Sequence, residues 1–398
     1  MRPAISLRPQ ILGEEPYSGF DHLFVPQLRA LVVTAVGRAG LLYGAALDGG
    51  DRLSHHRWLL FGYGQPPPSA GLTSIASGLF SAGAGYSNQQ LAPFTISLFA
   101  SQYHWRDIPA RPAGSPPITA ADFTLERRQR DAQLAISRLF YGNPVQLGAQ
   151  LTQDDLSSAA DFAPPAARRR LAGPSLSASY TGVETTPYTD ARRLLFVGGR
   201  VAHYPRQWST LDFSLSDLGA QVFVTMPLPL SRRHTLSLGL RGRALAGAPD
   251  SAPFLQLGGA AGGFLFQRSD RPAGPEFSAD PLPPGIAFFE PLRGYEDFAI
   301  ATTRAAIADA TYRYPIIIDW GSASTLGVLP AFFLRQLNFE LFFTGAIEGP
   351  SRARHAAAGT ALGVDFSLLA PWTLQYQLAQ RLEDDRARVH GLLLGVGW

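Results

Sequence analysis

The residues best suited to recognition chemistry stand in a row, Leu292-Arg293-Gly294-Tyr295, followed by Glu296-Asp297. Arginine presents a rigid fork of donors that can grip a carboxylate through two parallel hydrogen bonds, which suits a restricted space. Glycine beside it lets the backbone turn tightly against a wall. That is anchoring chemistry, and the rest of the chain offers little for bond-breaking. There is no cysteine, hence no disulfide and no thiolate. No Ser-His-Asp set or nucleophile elbow is visible. His55-His56 cannot easily share a metal, because adjacent residues of a strand face opposite sides. Asp154-Asp155 and Asp384-Asp385 read as solvated turns. The run Gly258-Gly259-Ala260-Ala261-Gly262-Gly263 is followed by neither Lys-Ser/Thr nor a helical pattern, so it is flexible backbone rather than a phosphate loop. The expectation is a protein that is not an enzyme, with no catalytic residues, no metal site and no cofactor.

Composition narrows the class. The 398 residues carry 34 basic side chains, all arginine, against 31 acidic ones, a formal net charge of +3. The arginines are scattered, with Arg168-Arg169-Arg170 the longest run, so nucleic acid is not an expected partner. Charged residues are only 16%, against roughly 25% in ordinary globular proteins. Such a chain has too few charges to coat a soluble exterior. No apolar run is long enough for a transmembrane helix, since Leu31–Leu47 is cut by Arg38 and glycines. Met1–Tyr17 has no apolar core and carries Glu14-Glu15, so it does not read as a secretory signal.

The dominant pattern has period two. Leu337, Phe339, Leu341, Phe343 and Ile347 alternate with Asn338, Glu340 and Thr344. Trp372, Leu374, Tyr376 and Leu378 oppose Thr373, Gln375, Gln377 and Arg381, and His234–Ala244 repeats the scheme. Side chains alternate across a strand, so each segment has one apolar and one polar face. A soluble sandwich turns the apolar face inward, whereas a membrane barrel turns it to lipid. The segments exceed the usual five or six residues of soluble strands, and aromatics such as Tyr103, Trp105, Tyr204 and Trp372 sit near their ends. About sixteen such strands are countable, from Gln27–Val36 to Arg386–Trp398, interrupted by a Gly- and Pro-rich interval, Ala248–Asp297. A compact soluble domain rarely holds so long a loop, but a wide barrel can fold one inside. The expected fold is all-β: a single antiparallel transmembrane β-barrel of sixteen strands with a long loop folded into the lumen. Residues 26–398 would form the barrel, and residues 1–25 a linker or the stump of a missing N-terminal domain.

The tetrapeptide Leu292-Arg293-Gly294-Tyr295 resembles the [V/I/L]-R-G-[F/Y] signature of the bacterial surface antigen superfamily. These are sixteen-stranded outer-membrane barrels that assemble or translocate proteins. Thr311-Tyr312-Arg313-Tyr314-Pro315-Ile316 resembles that family's motif at the end of the strand after the signature. Leu326–Gln336 resembles the Pro-interrupted connection that follows it, and Leu337–Gly345 the next strand. The alternating end of the chain, Leu392, Leu394, Val396 and Trp398, resembles the C-terminal β-signal by which such barrels are recognised for insertion. The resemblance is best over Pro291–Trp398. Two family acids are replaced, by Thr311 and Thr344.

The resemblance implies a bacterial outer-membrane location. It also implies that Arg293 reaches across the lumen to acidic and aromatic groups on the barrel wall. On lumen-facing parity the remaining acidic candidates are Asp309 first, then Glu340 and Glu348. The arginines Arg241, Arg243, Arg313 and Arg381 would give a basic inner surface. The function implied is insertion or translocation of polypeptides at a weak lateral seam between the first and last strands. The expected partners are outer-membrane lipid, unfolded client polypeptides and separate periplasmic subunits. The alternatives are a passive pore or solute channel, and a soluble all-β binding protein.

Overall fold

The computed structural model describes residues 23–36, 40–51, 53, 55–65, 79–107, 125–158, 169–186, 189–229, 231–248, 255–259, 266–269, 288–295, 299–323, 332–349, 351–368, 370–383 and 386–396. Eleven long strands come first: β1 Pro26–Val36, β2 Gly40–Gly50, β3 His56–Gln65, β4 Leu79–Asn88, β5 Phe94–Asp107, β6 Leu125–Phe140, β7 Asn143–Ser158, β8 Arg169–Thr186, β9 Thr189–Tyr204, β10 Leu215–Leu228 and β11 Ser231–Ala246. Four short ones follow: β12 Leu255–Leu257, β13 Phe266–Ser269, β14 Phe288–Glu290 and β15 Ile300–Thr302. Five long ones complete the wall: β16 Arg304–Ala323, β17 Phe332–Glu348, β18 Arg354–Leu368, β19 Ala370–Arg381 and β20 Arg388–Val396.

The sixteen long strands make one antiparallel meander in which every chain neighbour is laddered to the next, β11 passing directly to β16. The ends of the meander meet, as Cα atoms of β1 and β20 come within 8 Å of one another. Among the described residues no ladder joins them; β20 instead carries β13 on its second edge.

Alternation decides the faces. On β17, Gln336, Asn338, Glu340 and Thr344 are buried, whereas Leu341, Phe343 and Ile347 are exposed. Leu147, Leu176 and Leu240 are each more than half exposed on the same outer face. A sheet that buries its polar side chains and exposes its apolar ones is inverted with respect to a soluble protein, and lipid is the solvent that makes this favourable. Connections at one end of the strands are long, 66–78, 108–124, 159–168 and 247–303, and at the other end short, 89–93, 141–142 and 229–230. That asymmetry is the habit of outer-membrane barrels, whose long loops lie outside the cell.

Three details differ from the sequence expectation. The strand after the signature does not end with the Thr311–Ile316 motif but runs to Ala323. Proline lacks a ladder donor, and the register shifts between Pro315 and Ile317, which lets the strand pass it. The connection expected over Leu326–Gln336 is shorter, because β17 already begins at Phe332. Asp154-Asp155 is not a turn but lies within β7, with Asp154 buried and Asp155 bonded to Arg170 at 2.6 Å. Asp384-Asp385 lies outside the described residues.

Candidate functional site: a loop anchored on the inner wall

The segment 288–295 lies on the polar face of the wall. Its base is a small three-stranded sheet, with β12 parallel to β14 and antiparallel to β15. Leu255, Leu257, Leu292 and Tyr295 are buried there with Leu215, Leu245 and Ile307, whose strands are β10, β11 and β16. An apolar cluster on the inner face needs a lid, and the loop supplies it. Burial of several such side chains, at roughly 1.5–3 kcal/mol each, holds the segment in place.

This seat aims Arg293 at the wall. Its Nη2 donates to Glu340 Oε2 at 3.1 Å, and its Nε to Gln377 at 3.4 Å. Its Nη1 lies 3.5 Å from the Thr311 hydroxyl, and the guanidinium stacks 3.8 Å from the Phe342 ring centroid. Glu340 is shared. Arg313 holds its other oxygen at 2.8 Å, and Gln375 donates to Oε2 at 2.9 Å. Burial pulls the Arg293 pKa below the ordinary guanidinium value, and the Glu340 carboxylate opposes that fall. Three strands, β16, β17 and β19, thus meet the loop at one guanidinium.

Gly294 adopts φ +89°, and a Cβ there would stand 2.4 Å from the Ala357 Cβ, so only glycine fits against the wall. Tyr295 donates to the Ala356 carbonyl at 3.2 Å and to Glu383. The Arg381 guanidinium covers its ring at 4.5 Å. Burial, and then the Glu383 carboxylate, push its pKa well above the usual tyrosine value, so the phenol remains a donor.

The expected partners of Arg293 divide unevenly. Asp309, the first choice, is not in contact with it. Arg241 holds Asp309 at 2.7 Å, and the Thr344 hydroxyl donates to the other oxygen at 2.7 Å. Its position across from β11 gives it to the nearer arginine, and Glu340 receives Arg293. Glu348 sits at the end of β17, bonded to Ser351, and is not an Arg293 partner. Thr311 and Thr344 both touch this network.

Sequence reasoning missed a second clamp. Arg243 grips Asp217 through two bonds of 2.8 Å and reaches Glu290 of the loop at 3.0 Å. Arg241 reaches the Pro291 carbonyl at 2.9 Å and Glu290 at 3.7 Å. Parity placed both arginines on the polar face but left Glu290 without a role. At the chain's end, Leu392 pairs Tyr376, and the backbones of Leu394 and Val396 pair Leu374 and Trp372. Trp398 lies outside the described residues.

A sixteen-stranded antiparallel wall, polar inside and apolar outside, with an Arg-anchored loop on its inner face, defines an outer-membrane β-barrel fold. Solved structures carry the same fold. CdiB from Escherichia coli matches with a TM-score of 0.54 and 10% identity, over 93% of this chain and 62% of that one. BamA from Haemophilus ducreyi lacking POTRA domains 1-3 matches with a TM-score of 0.52 and 12% identity, over 93% and 70%. CdiB from Acinetobacter baumannii matches with a TM-score of 0.51 and 11% identity, over 93% and 59%. The chain therefore spans only about three fifths of the length of either CdiB. No protein-family pattern and no curated protein matches it.

Proposed function

We propose that this chain is the barrel part of a bacterial outer-membrane protein that inserts or translocates polypeptides, as in the surface-antigen barrels it resembles. The observation that carries the reading is the join between β1 and β20. All fifteen other neighbouring pairs of the meander are laddered, and among the described residues this one is not. Unpaired backbone facing lipid is costly, so a barrel keeps an open join only where something else pairs there. An extended client segment can do so by main-chain hydrogen bonds alone, with little demand on its sequence. In this reading the clamps at Arg293 and Arg243 brace the wall from β10 to β19 and leave the seam as its soft part. The clients are unfolded polypeptides, delivered with the help of separate periplasmic subunits.

The test uses proteoliposomes of the full chain and a urea-denatured small outer-membrane barrel as client. The expected result is folding or uptake of the client faster than in empty vesicles. Steady ion conductance in planar bilayers, with no effect on the client, would overturn the reading in favour of a passive solute channel.

A further inference from the structure

We infer that β13 is a resident stopper of the seam: Phe266–Ser269 occupies the edge of β20 that a client strand would use. The inference rests on the proposed function, and it adds how the same site is held closed.

The register carries the argument. Phe266, Gln267, Arg268 and Ser269 pair antiparallel with Leu392, Gly391, His390 and Val389. The other edge of β20 is taken by β19 over Trp372–Gln380, so β13 lies on the edge that faces β1. Strand directions alternate along the meander, so β20, the sixteenth wall strand, runs opposite to β1. A segment antiparallel to β20 therefore has the direction of β1. It stands where the first strand would stand if the barrel were fully zipped.

The exchange is unequal in a useful way. β13 covers only Val389–Leu392, the first half of β20. A client strand that matched the nine residues of Arg388–Val396 would form a longer ladder and displace it. The loop that carries β13 is tethered at Glu290 and Arg293, so the displaced stopper stays beside the seam and can return. A tethered competitor of this kind lowers the apparent affinity of the edge in proportion to the time it is in place. The ligand class is an extended polypeptide read by its backbone, entering antiparallel to β20.

The experiment exploits the absence of cysteine from the chain. In the full-length protein, the pair Arg268→Cys and His390→Cys should form a disulfide on mild oxidation, since paired Cα atoms lie within bridging range. The second arm uses His390→Cys alone and a synthetic peptide of residues 264–271 carrying cysteine in place of Arg268. Peptide capture is compared in that background and in one with Gln267→Pro and Arg268→Pro added, which removes whichever of the two amides β13 donates to β20. Heat-modifiability in gels confirms that each variant is folded.

The expected result is an intrachain disulfide in the first arm. In the second, capture should rise about tenfold when the stopper is broken. No disulfide in the folded protein, or capture that is the same with and without the prolines, would overturn the inference. Enhanced capture with no client folding in proteoliposomes would keep the stopper and sink the proposed function. Client folding that the prolines leave unchanged, with no enhanced capture, would do the reverse.

Discussion

Glu340 should matter more to the anchored loop than Arg293, although the arginine is the motif residue. Arg293→Ala removes one ion pair at 3.1 Å, a stack on Phe342 at 3.8 Å and two long, weak contacts to Gln377 and Thr311. A hydrogen bond to a charged group contributes about 1.5–3 kcal/mol, and the cation–π contact about 0.5–2. The Arg293 side chain is 23% exposed, which places the loss toward the lower end, about 2–4 kcal/mol together. The carboxylate left behind is not orphaned, because Arg313 still holds it at 2.8 Å and Gln375 at 2.9 Å. Glu340→Ala is different. It leaves Arg293 and Arg313 facing each other in a confined space with no anion between them, at a cost of about 3–5 kcal/mol. Urea unfolding of the refolded protein in detergent, read by heat-modifiability, gives both values. The double variant should show a coupling of about 1–3 kcal/mol. If Arg293→Ala cost as much as Glu340→Ala, the sharing of Glu340 would be refuted. If neither shifted the midpoint, the clamp would be without energetic weight.

Other substitutions follow from the same geometry. Gly294→Ala should unseat the loop, because the added methyl meets Ala357 and the backbone is left-handed; increased protease cutting within 248–297 of a still-folded barrel would report it. Tyr295→Phe removes the donor to Ala356 and Glu383 and should lower stability by about 1–2 kcal/mol in the same urea assay. Arg243→Ala strands Asp217, which is 2% exposed, and should cost about 3–5 kcal/mol; the double change with Asp217→Ala should recover part of it. Thr344→Asp should destabilise, because a second carboxylate would replace the hydroxyl now bonded to Asp309 at 2.7 Å. A neutral or stabilising Thr344→Asp would show that the inner network tolerates more negative charge than its present pairing suggests.

What could be read from the chain and what could not divides along the range of the interactions. Strand period is a local property: two residues on, a side chain returns to the same face. The alternation in Leu337–Ile347 was therefore enough to place Glu340 and Thr344 on the wall's polar side, and composition identified lipid as the solvent for the other side. The number of wall strands was legible for the same reason, and the interruption over Ala248–Asp297 from its glycines and prolines. Pairing was not. Asp309 and Glu340 share the inner face, and nothing in their spacing says which arginine reaches which acid. That depends on how β11, β16 and β17 are staggered, and stagger is set by ladders between residues far apart in the chain. Arg241 thereby takes Asp309, Arg293 takes Glu340, and Glu290 becomes the counter-ion of Arg243. The same limit hid β13. Four residues in a glycine-rich interval carry no strand signature of their own. They become a strand only because the edge of β20 offers amides and carbonyls that β19 does not take up, and that edge is placed by pairings between residues far apart in the chain.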